Sequence, residues 1–389
     1  MVNGGCAFTA LNHSLSRCFG CNYYSPFTID HFGMSKKVVL LGPHPPPYGG
    51  VSIYTSTLFE SLKNRGVELW TYGDEEVSGP QVHFMKDKRR ELIPLLLRGA
   101  RGARVADCTH FLFEYPSALV PAWLILKRLL GFEWVKIVHD GSLPSRHKSF
   151  TRLRRALFRL AASGVTEFVA VGEELGRWLR EELRVRQSVT LIKSLLPVAA
   201  REAVSPLPAD TEEALAPYER RAKKICSTGA FIRDYGFLHV AEAVERLRRE
   251  TGEDIGLALL DGDFARDEEY RAEVLGGRDW ITVLKNVAHP HVFQILRRSD
   301  AFVRAFGLES YGLSRVEAVW CGLPVVATRA GETRGMLLYD FGDVDGLTAQ
   351  LKRALSGERA RETAEWAARY RREAEENLKA ITEKLFDSE

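Results

Sequence analysis

A chain of 389 residues is longer than one hydrophobic core usually supports, so two domains are expected. Its 45% hydrophobic and 27% charged content is that of an ordinary globular protein and excludes a disordered or fibrous chain. No apolar run approaches the roughly 18–20 residues that span a bilayer, and nothing resembles a nucleic-acid-binding module.

Residues 1–33 lack a basic start and a continuous apolar core, so they do not read as a signal peptide. They are expected to be poorly ordered, with Met34 a candidate start of the folded protein. Cys18 and Cys21 have half of a zinc-site spacing, but no second pair follows, and no metal is expected. Cys108, Cys226 and Cys321 stand singly among apolar residues and read as buried thiols of a reduced, cytosolic chain.

Lys37 to Gly42 is a short apolar run ending in glycine, the pattern of a buried parallel strand. Pro43 to Gly50 reads as a loop, Val51 to Arg65 as a helix ended by Gly66, and Val67 to Tyr72 as the next strand. This is a βαβ unit of doubly wound type, and Gly49-Gly50 at its helix start lets backbone N–H groups approach an anion. The G-x-G-x-x-G dinucleotide spacing is absent.

Further strands are predicted from the apolar runs Thr109 to Phe113, Val135 to Val138, Phe168 to Val171 and Val189 to Ile192, with a helix over Arg152 to Ala162. His139 falls at the carboxyl end of one of these strands, where active-site groups of such sheets gather. Residues 201–222, rich in Pro, Ala and Glu, read as a linker. Beyond it, strands are expected at Lys224 to Ser227, Ile255 to Leu260, Ile281 to Leu284 and Ala301 to Val303. Helices are expected over Leu238 to Arg249, Gly346 to Leu355 and Arg361 to Leu385, and Asp261-Gly262-Asp263 reads as a cleft-edge turn.

The charge is uneven along the chain. Residues 36–200 carry 25 Lys and Arg against 16 Asp and Glu, a balance of +9, whereas residues 201–389 carry 28 against 34, a balance of −6. The stretch Met85 to Arg98, with Arg101 and Arg104, is both basic and apolar, which suits either anionic lipid headgroups or a solvated helix face.

Phe306-Gly307-Leu308-Glu309-Ser310-Tyr311-Gly312-Leu313-Ser314-Arg315-Val316-Glu317-Ala318 runs from a strand through a glycine-bearing loop into a helix, and Gly322 to Ala327 supplies the following strand. This E-x7-E segment, its G-x-P-V-V continuation and the P-x-x-x-G-G loop at Pro45 to Gly50 resemble family 4 retaining glycosyltransferases of the GT-B fold. The resemblance implies two doubly wound, Rossmann-like α/β domains facing each other across a cleft. Residues 34–200 would form the acceptor domain, 223–370 the donor domain, and 371–389 a last helix packing back on the first. It also implies that Glu309 holds the donor sugar, Glu317 the ribose, and Gly49, Gly50, Gly312 and Leu313 the phosphates, with His139 in acceptor or sugar binding.

Several positions depart from the family pattern. Gly172 stands where Ser is commoner, and Lys193 to Pro197 lacks the usual I-P-N-G turn. In the loop Gly229 to Gly236, Ala230 and Tyr235 replace the Arg and Lys that neutralise the donor diphosphate. Arg233 in the same loop and Arg304 are the candidate replacements.

The expected activity is retaining, metal-independent transfer of a hexose-type sugar from a nucleotide-diphosphate sugar, used as co-substrate without any cofactor. The expected acceptor is a saccharide or lipid-linked saccharide, in cell-surface polysaccharide assembly, with the protein in the cytoplasm or at the inner membrane face. Alternatives are an epimerase on the same frame, or a degenerate member that binds a nucleotide sugar or a partner without turnover.

Overall fold

The computed structural model describes residues 36–117, 119–197 and 206–387. The expectations for residues 1–33, including the Cys18 and Cys21 pair, lie outside the described residues.

The first sheet is built of β1 (Val38–Pro43), β2 (Glu68–Tyr72), β3 (Val82–Phe84), β4 (Arg104–Asp107), β5 (Glu133–Val138), β6 (Glu167–Ala170) and β7 (Val189–Leu191), in the order β3-β2-β1-β4-β5-β6-β7. The second holds β8 (Lys223–Phe231), β9 (Ile255–Arg266), β10 (Ile281–Lys285), β11 (Ala301–Arg304), β12 (Val325–Thr328) and β13 (Leu337–Tyr339), in the order β10-β9-β8-β11-β12-β13. Every pairing is parallel, and helices cover both faces, which is why the strands read as short continuous apolar runs. Strand order reverses between β1 and β4 and between β8 and β11, so each sheet has one crevice at its carboxyl edge where the connecting loops part.

Three expectations need correction. The strand predicted at Thr109 to Phe113 is a turn, and the strand lies just upstream at β4. β4 reads as polar because its ends carry Arg104 and Asp107, both buried and satisfied: Arg104 pairs with Glu133 at 2.6 Å, and Asp107 accepts from Trp134 Nε1 at 3.0 Å. The turn is apolar because Leu112 and Phe113 are themselves core residues. Asp261-Gly262-Asp263 is no turn, since β9 continues through it and Gly229 pairs with Asp261. Arg104 also leaves the expected basic surface, because its guanidinium donates to the carbonyls of Lys384 and Asp387.

Within the stretch read as a linker, Ala209–Glu219 is a helix whose Leu215 and Tyr218 enter the second core. The last helix, Ala360–Phe386, runs unbroken for 27 residues. Its Tyr370 and Ala374 belong to the core of the second sheet, and its Ile381 and Leu385 to that of the first. One rigid rod therefore ties the two cores together. Lys193, at the end of the first domain, braces the crossing by pairing with Glu332 at 3.0 Å and Glu373 at 2.8 Å.

At the facing edges, the loop Leu308 to Ser310 lies directly on two glycines of the first domain. A Cβ on Gly141 would meet Leu308 O at 2.6 Å, and one on Gly172 would meet Ser310 O at 2.3 Å. Neither distance is tolerable for a side chain, so the approach of the domains depends on these glycines.

Ile381→Ala is expected to lower stability by about 2–4 kcal/mol through the cavity left under the last helix, measured as a drop in the thermal midpoint. Gly172→Ser is expected to cost about 1–3 kcal/mol in overpacking, or to relieve it by opening. Small-angle scattering is the check: an unchanged radius of gyration together with an unchanged thermal midpoint excludes the seat as a closing contact.

Candidate active site

A cleft of about 600 Å³ lies between the carboxyl edges of the two sheets. Gly49, Gly50 and His139 line it from the first domain, and Arg304, Glu309, Gly312, Leu313 and Glu317 from the second. Arg233 does not line it. Its side chain is largely exposed, pairs with Glu273 at 3.1 Å and stacks over Tyr270, because the short helical turn Arg233–Tyr235 aims it away from the cleft.

Two helices point their amino ends into the cleft. The helix Gly50–Leu62 starts at Gly49, whose own N–H is taken by Ser52 Oγ at 3.0 Å. The first-turn N–H groups of Gly50 and Val51 remain open, as helix starts leave them. The helix Leu313–Trp320 starts at Gly312, held at φ 84. A Cβ there would lie 2.6 Å from Arg315 Nε and 2.9 Å from Glu309 Cγ, so only glycine fits. Both starts carry partial positive charge without a side chain in the way.

Glu309 sits between two guanidiniums. Arg304 Nε donates to its Oε2 at 2.6 Å, and Arg315 Nη2 approaches the same oxygen at 3.5 Å. Burial works to raise the carboxyl pKa, but Arg304 and Arg315 outweigh it and hold Glu309 below the usual range. Arg315 is fully buried and also donates to the carbonyls of Thr328, Ala330 and Glu332, fixing the following loop. Glu317 is buried and contacts His289 Nε2 at 2.8 Å.

At the positions where the resemblance expects Arg and Lys, the structure has other contacts. Ala230 is fully buried in β8. Tyr235 stacks on Phe306 with ring centroids 4.5 Å apart, and the Arg304 guanidinium lies 5.0 Å over the Tyr235 ring. Arg304 also donates to Thr228 O at 2.7 Å. The cleft cation thus comes from the end of β11, across the switch point from where the family places it.

The first-domain wall rests on a buried charge cluster. Lys136 is inaccessible to solvent, donates to Thr109 O at 2.5 Å, and lies 3.8 Å from Asp107 and 3.7 Å from Glu114. Burial pushes Asp107 up in pKa. For Glu114 burial acts the same way, but His110 and Lys136 overcome it and hold its carboxyl at about 2. His110 lines the cleft with Nδ1 bonded to Glu114. Burial opposes its charge, yet Glu114 raises its pKa. His139, the residue immediately after β5, behaves oppositely: burial drives its pKa down to about 3, against the attraction of Glu114. It packs edge-on against Tyr54 at 4.8 Å, and its Nε2 has no partner among the described residues.

Sequence reasoning missed His110, Thr228 and His289. Thr228 lines the cleft with a buried, unpartnered Oγ1, and His289 lines it beside Glu317. The available signal was position: Thr228 precedes the glycine ending the straight part of β8, and His110 follows β4, which had been placed too late.

Residues 211–372 match the family model described as Glycosyl transferases group 1. No curated protein matches. Among solved structures, sucrose-phosphate synthase of Thermosynechococcus elongatus superposes with a TM-score of 0.62 at 18% identity, covering 89% of this chain and 94% of that one. The E. coli trehalose-6-phosphate protein bound with UDP-2-fluoro glucose gives 0.65 at 14%, covering 91% and 100%. WaaG, a glycosyltransferase involved in lipopolysaccharide biosynthesis, gives 0.63 at 14%, covering 90% and 100%. These likenesses show the fold, two Rossmann-like sheets in the arrangement of GT-B glycosyltransferases. The fold is thus that of GT-B glycosyltransferases, and the second domain, which carries the E-x7-E loop on the cleft, is similar to glycosyl transferases group 1 over residues 211–372.

Proposed function

We propose that this glycosyltransferase moves a hexose-type sugar from a nucleotide diphosphate to an acceptor hydroxyl with retention of configuration. The observation that carries the reading is the convergence, on one cleft, of two open helix starts with Glu309 and Glu317. The diphosphate is held by the N–H groups of Gly50, Val51, Leu313 and Ser314, with Arg304 as the nearby cation. Glu317, oriented by His289, takes the ribose hydroxyls. Glu309, pinned by two arginines, is a poor nucleophile and serves to hold sugar hydroxyls. His139 Nε2 hydrogen-bonds the sugar or acceptor. In the transfer, the bond from the anomeric carbon to the diphosphate breaks, the acceptor oxygen bonds to that carbon on the same face, and the acceptor proton leaves on the diphosphate.

The basic first domain supports an acceptor that is a saccharide or lipid-linked saccharide, in cell-surface polysaccharide assembly on the cytoplasmic side of a membrane. Burial of Ala230 favours one second reading, a protein that binds the nucleotide sugar without turnover. Tight binding with no donor consumption in the presence of lipid-linked acceptors distinguishes it.

Calorimetry with UDP, GDP, ADP and CMP on the full chain tests the donor site. One diphosphate is expected to bind selectively, with Glu317→Ala and Arg304→Ala each weakening it by about tenfold to a hundredfold, and Arg233→Ala leaving it unchanged. Binding of none of the four by folded protein sinks the proposal.

The proposed role also requires a neutral His139, which has a pH signature. Its pKa falls from 6.5 to about 3 on folding, so below pH 6.5 the unfolded chain binds a proton that the folded chain refuses. Stability falls with acid in that window by up to about 1.4 kcal/mol per pH unit. The raised pKa of His110 contributes stability that is already complete below pH 6.5, and the depressed pKa of Glu114 contributes stability lost only below 4.5. Between pH 6.5 and 4.5, His139→Gln is therefore expected to flatten the acid loss by about 2–3 kcal/mol, read from denaturant midpoints. Parallel curves for the two proteins mean that His139 is charged when folded.

A further inference from the structure

One face of the first domain is explained neither by packing nor by the cleft. The helices Lys88–Gly99, Leu119–Leu130 and Arg152–Gly164 pack side by side in sequence, following the crossovers into β4, β5 and β6. Right-handed crossovers running in one direction along the sheet put all three on the same side of it. Each turns an apolar stripe to solvent. Leu97 is 57% exposed on the first, Ile125 and Leu129 are 60% and 71% exposed on the second, and Leu153 and Leu160 are 72% and 42% exposed on the third. Exposed Pro94, Pro121 and Ala156 extend these stripes at helical spacing. An outward helix face is ordinarily polar, and a contiguous apolar one marks an interaction surface.

The same face is strongly positive. Across the three helices there are ten Lys and Arg (Lys88 to Arg98 four, Lys127 and Arg128 two, Arg152 to Arg159 four) against Glu91 alone. Among the described residues, Arg89, Arg98, Lys127, Arg128, Arg152 and Arg159 pair with no carboxylate. The surface also reaches the cleft: Arg146 and Arg154 lie 4.1 Å and 5.8 Å over the ring of Tyr115, which lines it.

We infer that this three-helix face docks on an anionic phospholipid surface, with the Tyr115 side of the cleft turned toward it. The leucines and Ile125 enter the headgroup region while the arginines keep their heads at the lipid phosphates. A symmetric pairing with a second copy sets ten positive charges against ten and is disfavoured. No helix among the described residues is long and apolar enough to cross a membrane, so the contact is superficial. Only the purpose of docking, delivery of a lipid-linked acceptor, rests on the transferase proposal.

Flotation of the full chain with phosphatidylcholine vesicles, with and without about one third phosphatidylglycerol, tests the inference. Binding is expected to need the anionic lipid. The triple substitution Arg128→Glu, Arg152→Glu and Arg159→Glu is expected to weaken it by about a hundredfold or more. Ile125→Ser, Leu129→Ser and Leu153→Ser together are expected to weaken it by at least about tenfold. All six positions are exposed, so thermal midpoints should stay near wild type. Absence of binding, equal binding to neutral vesicles, or binding untouched by both variants overturns the inference. So does a wild-type dimer in sedimentation that the serine variant dissociates, which would make the face a subunit interface. Nucleotide calorimetry on the same variants keeps the two readings apart: vesicle binding without nucleotide binding leaves docking standing and removes the transferase proposal, and the reverse removes docking alone.

Discussion

Everything at the cleft depends on a backbone resting on two glycines. The loop that carries Glu309 lies against Gly141 and Gly172 at distances no Cβ would allow. Since the same loop ends in Gly312 and the start of the helix bearing Glu317, this seat sets where both carboxylates stand relative to His139 and the Gly49-Gly50 turn. Serine at position 172, as the family commonly has, is incompatible with this particular approach. Glycine at this position thus has a tertiary reason, the backbone of Ser310 lying directly on it. The last helix holds the opposite end, with one pair of residues in each core.

The first-domain wall shows how one buried lysine divides labour between two histidines. Lys136 cannot be solvated, and Asp107 and Glu114 are placed to balance it. Glu114 then has charge to spare for His110, whose Nδ1 it engages directly. His139 contacts the same carboxylate only through its backbone N–H, at 3.4 Å, and its ring is enclosed against Tyr54. Direct contact favours the cation at His110, and burial without such contact favours the neutral ring at His139. One wall therefore sets a histidine shifted toward its cation beside one shifted toward its neutral ring.

On the opposite wall the cleft is lined by a guanidinium from the end of β11. Placing arginine at position 304 puts a guanidinium at the end of the strand preceding Glu309, and Tyr235 supplies the flat partner that a lysine there could not. Phe306 completes the stack. Ala230 is buried, and the Tyr235–Phe306 stack holds the Arg304 guanidinium at the cleft. Arg233, the nearer candidate along the chain, belongs to the outer surface because the turn that carries it points outward.

The fold was legible because fully buried parallel strands advertise themselves as apolar runs, and because Gly49-Gly50 and Gly312 mark helix starts wherever they occur. β4 was misplaced by five residues because its charges are satisfied by partners 29 and 27 residues away, in β5, which no local pattern reveals. Thr228, His110 and His289 were missed for the same reason: each is ordinary in its own segment and significant only at the shared crevice. By itself the sequence determined two doubly wound domains, the E-x7-E loop and the residues that lead it. Only the tertiary structure decided that Arg304 rather than Arg233 faces the cleft, that the two histidines have opposite proton affinities, and that three separate helices form one basic, apolar face. Burial, desolvation and pairing are properties of neighbours brought together across the chain, and they arise only once it has folded.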